Sequence, residues 1–201
     1  KAFCYAHDPM TFVVGLTGGA ASGKSTAGAL FQALGAALID ADAVSHALTG
    51  REGKALGAIE KAFGQDFISD SALNRPRMRE LVFHDKAARS ELEAILHPLI
   101  ARELKKAVLS SRGPYVVLEA ALLVEKDSWR TLVNRLLVVD VPECVQIERM
   151  MRLRNLPEAT ARAIVACQCS RETRLAVADD VLVNTGTLRE LKDAVLRLHT
   201  R

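Results

Sequence analysis

Short apolar runs alternate along this chain with longer stretches in which apolar residues recur at helical spacing. Five short runs have the composition of buried strands: TFVVGL (residues 11–16), AALID (36–40), YVVLEA (115–120), RLLVVDV (135–141) and DVLVN (180–184). They are rich in β-branched residues and leucine. They lack the apolar–polar alternation of a half-exposed sheet, which predicts parallel strands covered on both faces. The helix after the first run is clear. Ala27, Leu30, Phe31 and Leu34 fall at i, i+3, i+4 and i+7, and Gly35 ends it. Strands separated by helical segments predict an α/β fold around a parallel sheet.

Two excursions leave this plan. Roughly 70 residues separate the second and third strands, far more than a simple crossover needs. Their pattern is helical: ALGAIEKAF, RMRELVF and ARSELEAILHPLIARELKKAVL. His97-Pro98 interrupts the last of these, and because proline cannot continue a helix a break is predicted there. The second excursion, residues 142–174, opens with PECVQIERMMRLRN, and Pro142 suits a helix start. In NLPE, Asn155 is placed to cap a second helix with Glu158 at its third position. The expected division is a core of residues 10–42, 113–141 and 175–201, a helical insertion at 43–112 and a closing segment at 142–174. Residues 1–9 read as a leader or cloning remnant, with Met10 as the natural start.

Composition narrows the partners. Of 201 residues, 27 are Lys or Arg and 24 are Asp or Glu, so the formal net charge is +3. Aromatics make up 4%, and no basic stripe carries them, which argues against nucleic acid. The longest apolar stretches, such as LLVV and AALLV, fall far short of the roughly 18 residues of a membrane span. No membrane partner is expected. Cys4, Cys144, Cys167 and Cys169 lack the second Cys/His pair of a zinc site and read as reduced cysteines of a cytoplasmic protein.

The chemistry begins after the first strand. Gly18-Gly19-Ala20-Ala21-Ser22-Gly23-Lys24-Ser25 fits G-x-x-x-x-G-K-[ST] without mismatch, between a strand and a helix. Glycines let such a loop curl so that several N–H groups face one concavity, at the positive end of the helix. Lys24 then reaches the β- and γ-phosphates of a nucleoside triphosphate, and the Ser25 hydroxyl ligates Mg²⁺. Thr26 bonds either phosphate or its own helix backbone. The loop alone does not separate kinases from GTPases, helicases or motor ATPases.

The acceptor side is carried by carboxylates and arginines. Asp40 and Asp42 sit at the carboxyl end of the second strand, where ligands bind in open α/β sheets. Asp40 reads as the cap of the next helix and Asp42 as a base for a substrate hydroxyl. If the chain turns at Ala41, only one of them faces the cleft. Glu119 and Asp140 also end strands, and one of them is the candidate to hold Mg²⁺ through water. Asp140 is alternatively a cap for the helix at Pro142. Residues 142–174 carry Arg149, Arg152, Arg154, Arg162, Arg171 and Arg174. Arg149, with Arg152 on the same face, suits a mobile flap that closes over a triphosphate. His97 is a weaker candidate for substrate contact.

Taken in order, these motifs resemble the dephospho-CoA kinase family. They are GLTGGAASGKS (15–25), IDAD (39–42), FGQDFISDSALNR (63–75), HPLI (97–100), LLVE (122–125), QIER (146–149) and ADDVLVNTG (178–186). The resemblance covers nearly the whole chain. It departs at LEAALLVE, where the family has an aspartate and a proline before LLxE, so that Glu119 stands for the aspartate. The resemblance implies a three-layer P-loop NTPase fold of the nucleoside-monophosphate-kinase type, with a five-stranded parallel sheet, a substrate-binding insertion and a helical lid. It implies ATP, Mg²⁺ and dephospho-CoA as ligands, and a monomer or weak homo-oligomer. Asp42 matches the family's base, and Lys24 and Arg149 join it as catalytic residues. Arg75 and His97 fall on the dephospho-CoA side, and Asn184 lies where the family contacts adenine. Another small-molecule kinase of this fold and a nucleotide-dependent switch protein are the alternatives.

Overall fold

The computed structural model describes residues 11–121, 123, 124 and 127–201, without the side chains of residues 127 and 128. The leader expected at 1–9, the start at residue 10, Cys4, and residues 122 and 125 of the LLVE motif lie outside the described residues. Contacts divide the chain into two compact units, Lys1–Ile39 with Val108–Arg201, and Asp40–Ala107.

The first unit opens with β1 (Val13–Gly18), α1 (Lys24–Ala33) and β2 (Ala37–Asp40), whose last residue begins the second unit. The second unit holds α2 (Ala41–Thr49), α3 (Leu56–Phe63), the short strands β3 (Ile68–Ser69) and β4 (Ala72–Leu73), α4 (Arg75–His84) and most of α5 (Lys86–Ser110). The chain then returns through β5 (Val116–Glu119), α6 (Asp127–Arg130), β6 (Arg135–Asp140), α7 (Glu143–Arg154), α8 (Glu158–Ala166), α9 (Arg171–Ala176), β7 (Asp180–Val183) and α10 (Leu188–His199).

All five runs read from the sequence as buried strands form one sheet, in the order β2-β5-β1-β6-β7. The pairs β1–β5, β1–β6 and β6–β7 run parallel. Central β1 and its neighbours are buried almost throughout, as their unbroken apolar runs require. Leu16, Val117, Leu137, Val139 and Leu182 of the sheet pack with Ala27 and Phe31 of α1 and with Leu191 and Val195 of α10. Burying each large side chain contributes about 1.5–3 kcal/mol. A second cluster joins Met150, Ala161 and Val165 of α7 and α8 to Ala20 and Ala21 of the loop after β1.

Three expectations fail. The strands at the two edges of the sheet, β2 and β7, are not covered on both faces: Val181 and Val183 of β7 are exposed, and only Ile39 of β2 is buried. No break falls at Pro98, because α5 runs through it for 25 residues. Proline removes a single helical hydrogen bond and its ring crowds one carbonyl, which a long helix absorbs when flanking turns are anchored. Ala88, Ile100 and Leu104 provide that anchoring on either side. Asn155 does not cap α8. It ends α7 in the left-handed region (φ 51°), where Asn is tolerated, and its N–H donates to Met150 O. Pro157 keeps Leu156 out of helical geometry, so α8 begins only at Glu158.

Helix α10 starts on a reciprocal cap. Thr187 Oγ1 accepts from Glu190 N, and Glu190 Oε2 accepts from Thr187 N. That N–H, then the Thr187 hydroxyl, holds the Glu190 carboxyl below the usual carboxylate range. The contribution is therefore present above the ordinary Glu range and lost as pH falls through the lowered value. Thr187→Ala should destabilise the protein by about 1 kcal/mol at neutral pH, and by less in acid, in denaturant titrations. An equal loss at both pH values would contradict the part the Glu190 carboxylate plays in the cap.

Candidate active site

Strand β1 ends at Gly18 and α1 starts at Lys24, so the loop 19–23 hangs between the sheet's central strand and a helix N-terminus. Gly23 makes the last turn in the left-handed region (φ 95°), and a Cβ there would collide with Asn184 Nδ2. Only glycine meets both conditions. Ala21 is also left-handed (φ 54°), which costs a side-chain-bearing residue about 1–2 kcal/mol.

A loop that turns N–H groups toward a ligand turns carbonyls the other way, and these find partners across the sequence. Lys24 Nζ donates to Gly18 O at 2.9 Å and to Gly19 O at 3.3 Å. Asn184 Nδ2 donates to Ser22 O at 2.7 Å. Arg149 spans the outer side, with Nη1 at 3.4 Å from Ala21 O and 3.5 Å from Ser22 O, and Nη2 at 2.7 Å from Asn184 O. The loop's Ala20 N–H donates to Gln168 Oε1 at 2.9 Å. Ala21–Thr26, Arg149, Leu153 and Arg154 line a cavity of about 230 Å³ at the helix N-terminus.

The carboxylates separate by geometry. Ser25 Oγ donates to Glu119 Oε1 at 2.7 Å, from the first turn of α1 to the last residue of β5. Glu119 is 8% exposed, and with the Ser25 hydroxyl it presents two hard oxygens that suit Mg²⁺. Among the described residues no group of three or more His, Cys, Asp or Glu side chains could hold a metal. Asp140 is occupied otherwise, for Arg171 donates to both its oxygens, Nε at 2.8 Å and Nη2 at 2.7 Å. The pair holds the Arg171 guanidinium above its ordinary value, first through the hydrogen bond and then through charge. Asp140 does not cap α7, whose N-cap is Pro142.

In the second unit the chain turns at Ala41. Asp40 caps α2, accepting from the Asp42 and Ala43 N–H groups, and Asp42 stands exposed in the first turn. Arg75 lies at the other end of that helix. It donates to Thr49 Oγ1 at 2.8 Å and to His46 O at 3.3 Å, satisfying a C-terminal carbonyl. His97 is half-buried in the middle of α5.

Gly18 through Thr26, Glu119, Arg149 and Asn184 thus come together in one unit, and Asp42 and Arg75 at opposite ends of one helix in the other. Arg152 does not share the Arg149 surroundings. It is 68% exposed, 4.0 Å from Glu148. Three residues fall 60° short of a full helical turn, enough to aim it at solvent. Arg174, one of the arginines expected on the flap, is instead buried, and its Nη1 donates to Cys169 O. The sequence reading missed Gln146, buried beneath the loop, and Gln168. No spacing rule marks them. Only Gln146 stood in a quoted motif, and there without a role.

The dephospho-CoA kinase family model matches residues 12–190. A dephospho-CoA kinase of Aromatoleum aromaticum is 50% identical over 191 residues, 94% of this chain and 93% of its own. A crystal structure of TT1252 from Thermus thermophilus is 28% identical with a TM-score of 0.82, covering 94% of this chain and 97% of its own. A dephospho-CoA kinase from Campylobacter jejuni shares the fold at 21% identity, with a TM-score of 0.64 over 94% of this chain and 95% of its own.

Gly23→Ala should destabilise the protein by at least about 1 kcal/mol and abolish the rise in melting temperature on adding a nucleoside triphosphate. A variant that keeps that rise would contradict the demand for glycine.

Proposed function

The chain belongs to the dephospho-CoA kinase family, and on that premise we propose that it transfers the γ-phosphoryl group of ATP to the ribose 3′-hydroxyl of dephospho-CoA, giving CoA and ADP. The observation that carries the reading is the Ser25–Glu119 pair at the N-terminus of α1, beside Lys24 in a loop built for phosphate. Loop N–H groups and the helix N-terminus receive the phosphate oxygens. Lys24 exchanges the Gly18 and Gly19 carbonyls for the β- and γ-phosphates. Mg²⁺, held by Ser25 and Glu119, would spread the charge that develops between those phosphates.

The acceptor oxygen bonds to the γ-phosphorus as the bond from that phosphorus to the β–γ bridging oxygen breaks, and ADP leaves. Asp42 accepts the hydroxyl proton. Arg149 neutralises charge on the transferring group, and the Asn184 loop faces adenine. Arg75 and His97 contact dephospho-CoA. Closure of residues 142–174 keeps water from competing as acceptor. The setting is the cytoplasm, which suits Cys144 and Cys167 as free thiols. No helix among the described residues is long and apolar enough to cross a membrane.

A coupled ADP-release assay with ATP and Mg²⁺, run with and without dephospho-CoA, tests the reading. Release should depend on the acceptor, and release indifferent to dephospho-CoA would overturn the acceptor. Asp42→Asn should bind both ligands as before and lose about 10²–10⁴-fold in kcat. Near-normal turnover would remove Asp42 as the base. Glu119→Gln keeps an acceptor for Ser25 but removes the charge, so half-maximal rate should need about 10–100-fold more Mg²⁺. An unchanged requirement would remove Glu119 from the metal side.

A further inference from the structure

Gln146 of α7 is 1% exposed, in a position where an apolar side chain would ordinarily sit. Its Nε2 donates to Val141 O at 3.2 Å. Among the described residues its Oε1 has no hydrogen-bond partner. A buried amide oxygen left unpaired is unfavourable, and such a group calls for a reason. Its surroundings supply one. A Cβ built on Gly19 would land on that same Oε1, with Cδ and Nε2 each 2.8 Å away. The flat amide therefore lies directly against the backbone of the phosphate loop's second glycine. The three nearest heavy atoms to that spot all belong to Gln146.

The contact sits at a sensitive place. Gly18 O and Gly19 O are the carbonyls that hold Lys24 Nζ, and Ser22 N donates to Gly19 O at 3.2 Å. One helical turn beyond Gln146, Arg149 reaches Ala21 O and Ser22 O. The next loop residue, Ala20, donates to Gln168. The front of the loop is thus held by side chains from the 142–174 segment, and Gln146 is the fully buried one.

We propose that Gln146 is a positioning residue for phosphoryl transfer: its buried amide seats the Gly18–Gly19 backbone and so sets the direction of the loop's N–H groups and of Lys24. It touches no substrate and acts through the loop. The inference rests on the reading of this loop as the ATP site.

Stability and activity should separate. Gln146→Leu is close in shape. It removes the unpaired oxygen but leaves Val141 O without its donor, two effects of similar size and opposite sign. The melting temperature should therefore stay near that of the unsubstituted protein. The kcat should fall about 10–100-fold, the scale set by small misplacements of reacting groups, with a smaller change in KM for ATP. Unchanged kcat, or a matched loss of stability and activity, would overturn the proposal.

A double-mutant cycle read by ATP calorimetry needs no acceptor, so it stands even if dephospho-CoA proves the wrong substrate. Gly19→Ala alone should weaken ATP at least about 10-fold, because its Cβ strikes a buried amide. In a Gln146→Ala background the same change should cost less than about 3-fold. Equal costs in the two backgrounds would show that Gln146 does not act on the loop at Gly19, and would overturn the seat. Failure of the unsubstituted protein to bind ATP would instead sink the reading of the site itself.

Discussion

The structure depends on one constraint of backbone chemistry. A loop that gathers N–H groups around phosphate must expose its carbonyls on the far side, and buried carbonyls need donors. Here the donors are Lys24 for Gly18 O and Gly19 O, Asn184 for Ser22 O, and Arg149 for Ala21 O and Ser22 O. Two of these three residues lie more than 120 positions further along the chain. They can arrive only because β6 and β7 pair beside β1 and deliver their following segments to the same edge of the sheet. The parallel sheet is thus the device that brings remote donors to a loop unable to satisfy itself.

The same constraint explains why the 142–174 segment is more than a cover. Ala20 and Ala21 belong to the hydrophobic cluster formed by α7 and α8. Gln146, Arg149 and Gln168 hold the loop's backbone, and Arg171 ties the segment's far end to Asp140 at the end of β6. Movement of this segment on nucleotide binding would therefore change the loop as well as the access to it.

Much of this was legible in the sequence, for physical reasons. Strands buried on both faces must be apolar without alternation, so β1, β5 and β6 stood out; the edge strands β2 and β7 are partly exposed and stood out by their β-branched and apolar composition. The loop's glycines and its Lys-Ser pair are dictated by local geometry, so the motif declared itself, as did Asp40 as a cap. The choice between Glu119 and Asp140 stayed open because each ends a strand. What separates them is a partner 94 positions away for one and 31 for the other. Pro98 and Asn155 misled because local preference was read without tertiary anchoring: buried neighbours hold α5 through its proline, and Pro157 delays α8. Gln146 and Gln168 carry no pattern, since a glutamine against a loop looks like any other until the fold brings the two together.

The most direct measurement is the position of the phosphate on the product. The reaction mixture of the unsubstituted protein with ATP, Mg²⁺ and dephospho-CoA can be followed by phosphorus–proton correlation NMR alongside ADP formation. The account predicts one new phosphomonoester for each ADP formed, coupled to the ribose 3′ proton. Phosphate on another atom, or ADP formed without a new phosphoester, would contradict it.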